Sequence, residues 1–154
     1  MPSESTLLVR PEHLNHHGYL FGGRLLEWLD EQAYIAAMAE CKAEANLVTV
    51  AIDQVEFKVP VRQGSLLRFR SDVVHVGQTS LTVFTEVLLL RDGSPHVIFS
   101  AYVSFVCLDA LGRPRAIAPL LLSALTPQAL SPAALERWQH VEKLRALRHQ
   151  RITP

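Results

Sequence analysis

One helix with an unusually broad apolar surface constrains this chain most. From Gly22 to about Glu44 the sequence is rich in leucine and alanine and free of proline, which predicts a single long helix. At 100° per residue, Leu25, Leu26, Leu29, Ala33, Ala36 and Ala37 fall on one stripe. Arg24, Glu27 and Glu31 form a polar face, and Trp28 and Ile35 make a second apolar patch. A helix apolar over so much of its surface is expected to be wrapped by a sheet and touched by a partner subunit.

The sheet is legible in what flanks the helix. Residues 6–10, TLLVR, read as a short strand that Pro11 ends. After Asn46 the chain turns β-branched and partly alternating, so 47–57 reads as a strand. Residues 58–64, with Pro60 and Gly64, read as a loop. Leu66–Val76, Thr79–Leu90 and His96–Leu108 are three more strands, joined at Gly77 and at Asp92-Gly93-Ser94-Pro95. In the last of them Val97, Phe99, Ala101, Val103, Phe105 and Cys107 alternate onto one face. The other face is partly apolar too. One long helix with four following antiparallel strands is an α+β architecture. In the tail, Ser131-Pro132 reads as an N-cap with proline at the first helical position, opening a helix to about His149. Leu135, Trp138, Val141, Leu144 and Leu147 recur along it at helical spacing, a stripe for packing on the domain or on another subunit.

Composition narrows the class. In 154 residues, 49% hydrophobic and 19% charged, there is enough material for one core and too little polarity for disorder. The formal net charge is zero, which gives no overall attraction to nucleic acid or to a membrane surface. No apolar run is long enough for a membrane span. The first residues, MPSESTLLVRPEH, lack the basic and apolar regions of a signal peptide, and Cys41 and Cys107 lack metal-ligand spacing. A cytoplasmic protein with reduced thiols is the expectation.

The chemistry concentrates between Asn15 and Asp30. Asp30 falls at the edge of the buried stripe, where a carboxylate is either a flanking acid that pairs with a neighbouring base or caps a loop, the reading helix position alone favours, or a partly desolvated and so stronger base. Gly22 and Gly23 open the helix, leaving amides at its positive end available to a developing oxyanion. They precede Asp30 by eight and seven residues, roughly 10–12 Å along the axis. An aspartate cannot span that distance. If both groups act on one substrate they come from two helices, which predicts a homodimer with antiparallel helices and two shared sites.

The motif N-x-x-G-x-x-F-G-G followed by W-x-D (Asn15, Gly18, Phe21, Gly22, Gly23, Trp28, Asp30) resembles the opening of the YciA-like and eukaryotic cytosolic acyl-CoA thioesterases. These are a branch of the hotdog-fold superfamily. VTVAIDQVEFKVPVRQG, VGQTSL and SFVCLDALGRPR extend the resemblance over about residues 6–118. It implies a hotdog fold, a curved antiparallel sheet around a central helix, for a single acyl-CoA thioesterase domain at 1–120 with a helical extension at 121–154. It implies hydrolysis of acyl-CoA to free acid and coenzyme A, with the coenzyme as part of the substrate and no further cofactor. The assembly implied is a dimer, often built into tetramers or hexamers. Carried over, Asp30 is the catalytic carboxylate, Asn15 of the facing subunit binds the carbonyl or the water, and the amide of Gly22 or Gly23 polarises the thioester. Three departures stand out: Gln78 where the family often has arginine, Ser65 for an aspartate, and His16-His17 between Asn15 and Gly18.

Gly77, Thr79 and Ser80 are candidates for the pantetheine arm, and Arg113 and Arg115 for the coenzyme phosphates. Lys143, Arg145, Arg148 and Arg151 have two readings, contact with phosphates or complementing the last turn of the C-terminal helix, and the second is favoured. His13, His16 and His17 sit in a loop with no register to converge them, so no metal site is expected. A non-catalytic acyl-CoA binder is the alternative reading. A hydratase ranks below it, because the central helix carries no histidine.

Overall fold

The computed structural model describes residues 2–152, with side chains for residues 2–150. β1 (Ser3–Leu8) precedes the central helix α1 (Gly22–Ala39). β2 (Leu47–Asp53), β3 (Leu66–Val76), β4 (Ser80–Arg91) and β5 (Ser94–Cys107) follow, and α2 (Pro132–Ile152) ends the described chain. The strands form one sheet in the order β1-β3-β4-β5-β2, antiparallel throughout. Asp92 and Gly93 both have positive φ, 49° and 76°, as a two-residue hairpin between β4 and β5 requires. No described helix is long and apolar enough to cross a membrane.

One face of the sheet holds α1. Leu67, Phe69, Leu81, Val83, Val103 and Phe105 are fully buried there against Leu25, Leu29, Ala33, Ala36 and Ala37. The alanines let the helix axis approach the strands closely. Two buried hydroxyls on this face, Ser71 and Thr85, satisfy each other at 2.8 Å. The opposite face is covered by α2. Val141 is fully buried, and with Leu144 it packs on Val74, Phe84 and Tyr102. Trp138 stacks on His75 at 4.3 Å. The stripe expected on this helix therefore packs on its own domain, except that Leu147 at its far end is 53% exposed.

Several boundaries differ from expectation for local reasons. β1 lies at 3–8, where it pairs with Leu66–Ser71. α1 ends at Ala39 because the following residues are taken up elsewhere. Leu122 N–H donates to the Glu40 carbonyl, Lys42 N–H to that of Leu120, and Cys41 bridges Leu121. β2 stops at Asp53, where Gln54 turns to φ 61°. Trp28 joins the core, between His13 and Phe69, while Ile35 stays 51% exposed. Val97 is also exposed: the pairing shifts between Val87 and Leu88, Phe99 lies opposite Val87, and the alternation breaks there.

Candidate active site

The segment before α1 folds into a tight loop closed by a bridge between Leu14 and Leu20. Gly18 sits at φ 78°, a conformation that favours glycine. The Asn15 side chain organises this loop. Its Oδ1 accepts from the backbone N–H of His17 at 2.9 Å and of Tyr19 at 3.2 Å. That fixes the orientation of the amide and leaves Nδ2, a donor, without a partner among the described residues.

Phe21 closes the loop and starts the helix. Its carbonyl accepts from both Arg24 N–H and Leu25 N–H. The amides of Gly22 and Gly23 have no carbonyl to donate to, as the first turn of a helix dictates. Aromatic rings explain the glycine pair. A β-carbon at Gly22 would stand 3.2 Å from the Phe57 ring, and one at Gly23 2.9 Å from that of Phe21. Asn15, Gly22, Leu25 and Phe57 line one cleft of about 370 Å³, with Tyr19 and Pro60 at its sides. Here an unsatisfied side-chain amide and the helix N-terminus meet in one space, suited to an oxygen that gains negative charge.

Asp30 does not line that cleft. It lies on the same helix, eight residues from Gly22, roughly 12 Å along the axis. Its Oδ1 accepts from the Thr49 hydroxyl at 2.8 Å, so β2 orients the carboxylate from across the helix–sheet junction. Thr49 is absent from the sequence-derived set. The sequence offers no distinct signal for it: Thr49 is an exposed residue two positions after buried Leu47, in a stretch of β2 whose burial does not alternate. One protomer thus carries the donors and the carboxylate as two separate half-sites.

The remaining candidates gather at one end of the sheet. Gly77 N–H donates to Ser80 O in the β3–β4 turn, and Cys107 N–H to Thr79 O. Arg115 N–H donates to Cys107 O, and Ile117 N–H to Gln78 O, which lays the segment after β5 along that turn. Arg113 pairs with Asp109 at 3.4 Å. Backbone hydrogen bonds from Arg113 and Leu111, with that arginine, hold the Asp109 carboxyl below its ordinary range. The tail cations depart from expectation. Arg145 and Arg148 turn back onto the sheet, toward Ser80 and Asp53, and do not cap their own helix. The Arg151 side chain lies outside the described residues. Among the loop histidines, His13 accepts from Arg10 N–H at 3.0 Å and sets its ring edge against Trp28, and His16 stacks on His17.

Comparison with known proteins gives a consistent family. The model of the "Thioesterase superfamily" matches residues 17–94, half of the chain. YkhA of Bacillus subtilis, an uncharacterized acyl-CoA thioester hydrolase, is 35% identical over 111 residues, 71% of this chain and 63% of that protein. ZMO0511 of Zymomonas mobilis, likewise an uncharacterized acyl-CoA thioester hydrolase, is 32% identical over 116 residues, 74% of this chain and 76% of that protein. This chain therefore spans less than two thirds of the length of the first of these relatives.

Among solved structures, an acyl-CoA hydrolase from Bacillus cereus superposes with a TM-score of 0.81 at 28% identity, covering 97% of this chain and 87% of that one. A hexameric acyl-CoA thioesterase superposes at 0.80 with 27% identity, over 99% and 93%. An acyl-CoA hydrolase from Staphylococcus aureus, in complex with butyryl coenzyme A, coenzyme A and coenzyme A disulfide, gives 0.78 at 27%, over 97% and 89%. Variants of that enzyme with one aspartate, one asparagine or one threonine replaced by alanine superpose at 0.77, 0.70 and 0.69. Sequence, sheet order and central helix agree: the chain belongs to the thioesterase superfamily and has its hotdog fold.

Proposed function

We propose that this chain hydrolyses the thioester of acyl-CoA at sites shared between two copies. One copy supplies Asn15 Nδ2 and the amides of Gly22 and Gly23, and the other supplies Asp30 with Thr49. The observation that carries the reading is the division just described. Donors and carboxylate lie eight residues apart on one helix, with Asp30 outside the donor cleft. An antiparallel pairing of two α1 helices brings each half to its complement. The exposed apolar side chains Tyr34, Ile35, Val48, Val50 and Phe57 lie on α1, on β2 and just after β2, and surface of that kind is suited to such an interface.

The chemistry follows from the groups. The donors take up the charge that develops on the thioester oxygen. Thr49 holds Oδ1 of Asp30 and leaves Oδ2 to act. Oδ2 either removes a proton from water as its oxygen bonds to the carbonyl carbon, or bonds to that carbon itself, forming an anhydride that water opens. In both routes the C–S bond breaks, coenzyme A leaves as the thiolate and takes up a proton, and the acid is released. The S. aureus relative lends support. The aspartate and asparagine replaced there are fifteen positions apart, as Asp30 and Asn15 are here.

On this reading Gly77, Thr79, Ser80, Arg113 and Arg115 form the coenzyme end of the site. Residues 1–120 form the catalytic domain and 121–154 its extension. A dimer or a larger assembly of dimers is the working state. Release of free thiol from acyl-CoAs of graded chain length, for wild type beside Asp30→Asn, tests the function. The variant is expected to fold and to lose nearly all turnover. Undiminished turnover removes Asp30 from the chemistry, and binding without hydrolysis by the wild type identifies a carrier or sensor.

A further inference from the structure

On the outer face of the sheet, the C-terminal half of α2 closes a second cleft of about 370 Å³ against β2, β4 and β5. Hydroxyls of Thr79, Ser80, Thr82 and Ser104 line it, facing Arg145 and Arg148. The two arginines differ electrostatically. Arg148 is neutralised, with Nη2 2.6 Å from the Asp53 carboxylate. Arg145 is half-buried. Its Nη1 donates to Ser80 Oγ at 3.0 Å and lies 3.5 Å from His75 Nδ1. Among the described residues it forms no ion pair. Glu142, one turn earlier, is bound to His75 Nε2 instead.

The guanidinium position is built into the turn it rests on. A β-carbon at Gly77 would fall 2.4 Å from Nη1, so glycine there makes room for it. A charge withdrawn from water is costly without a counter-charge. A guanidinium beside hydroxyl donors suits an oxyanion, and a phosphate group has oxygens enough to accept from the guanidinium and from several hydroxyls at once, where a carboxylate has two.

We propose that this outer cleft binds a phosphate group, with Arg145 as its cation and the hydroxyls of Thr79 and Ser80 as neutral donors. α2, which lies beyond the residues matched by the family model, then contributes a ligand contact of its own. If the hydrolase reading above holds, on which this clause rests, the phosphate belongs to the coenzyme A portion of the substrate. A free nucleotide or inorganic phosphate is the other source of the same chemistry.

Calorimetric titration of the full chain with adenosine 3′,5′-bisphosphate and with inorganic phosphate tests the proposal for wild type, Arg145→Gln and Arg145→Lys. Binding to wild type is expected to weaken with salt. Arg145→Gln is expected to weaken it at least about tenfold, the effect of losing one charge-assisted hydrogen bond, with Arg145→Lys between the two. Should Arg145→Gln not fold, Arg145→Lys carries the comparison. No binding to wild type, or affinity unchanged in the variants, overturns the proposal.

A kinetic arm then separates the sources. If substrate phosphate is the ligand, kcat/KM for acyl-CoA relative to phosphate-free acyl-pantetheine falls about tenfold in Arg145→Gln. If titration shows the loss and this ratio holds, a free phosphate is the ligand. Titration requires no turnover. A protein that binds the bisphosphate through Arg145 but releases no thiol refutes the hydrolase reading and leaves this one standing.

Discussion

Replacing Asn15 in two ways separates the two tasks assigned to one side chain. Its Oδ1 accepts from His17 N–H and Tyr19 N–H, while Nδ2 is the donor offered to substrate. Asn15→Asp keeps both acceptor contacts, strengthened by charge, and removes the donor. Asn15→Ala removes all three. Each loop hydrogen bond is worth about 1 kcal/mol net, so Asn15→Ala is expected to cost about 1–2 kcal/mol of stability and Asn15→Asp close to none. For catalysis the order reverses. Loss of one donor to a developing oxyanion lowers kcat about 10²–10³-fold. Asn15→Asp also places a negative charge where the oxyanion forms, so its loss is expected at the upper end. Urea unfolding and thiol release from acyl-CoA on the same preparations give both numbers. The reasoning is refuted if Asn15→Asp turns over within a few-fold of wild type. Asn15 would then only shape the loop.

Three further outcomes follow from the geometry. Gly22→Ala adds a methyl group 3.2 Å from the ring of Phe57, a contact that the ring relieves by yielding a few tenths of an ångström. Stability is expected to hold in a thermal melt while kcat/KM drops about tenfold as the methyl enters the donor cleft, and an unchanged kcat/KM contradicts this. Thr49→Val removes the hydroxyl that orients Asp30, with kcat expected to fall about tenfold at unchanged fold. Equal rates would show that the carboxylate orients itself. His75 is buried under α2, and desolvation lowers its pKa from 6.5, with Arg145 reinforcing the effect and Glu142 opposing it. Below 6.5 the unfolded chain binds the proton more readily than the folded one, so the stability His75 contributes is present above that pH and is lost as pH falls. Melting temperature is expected to drop more steeply between about pH 7 and pH 5 in wild type than in His75→Gln, and parallel curves would refute the assignment.

Periodicity carried most of the fold because the apolar stripe of α1 packs on the larger of the two buried faces of the sheet. The alternation from Phe99 to Cys107 predicts the buried row of β5, and the Leu25–Ala37 stripe predicts the face of α1 that meets it. The misjudged positions are those where a distant segment intervenes. Residues 40–45 continue a helical composition, yet the segment 120–122 captures their backbone. Val97 fits the alternation, but a bulge in β5, at the register shift in its pairing with β4, turns it outward. Within the site, Asn15, Gly22, Gly23 and Asp30 are legible because each is an unusual residue for its position. Thr49 is an ordinary strand residue whose meaning comes from a hydroxyl 2.8 Å from Asp30. Arg145 and Arg148 fit a helix C-terminus equally well, and only the packing of α2 on the sheet directs them to Ser80 and Asp53.

Subunit mixing tests the shared site most directly. Asp30→Ala and Asn15→Asp, each inactive alone, are combined under conditions that let subunits exchange. If donors and carboxylate come from different copies, every mixed dimer holds one intact site and one site lacking both groups, and thiol release recovers to about a quarter of the wild-type rate. If each chain builds its own site, every site in the mixture lacks one group. Activity that stays at the level of the separate variants after exchange, verified by mass spectrometry of the mixed dimer, contradicts the account.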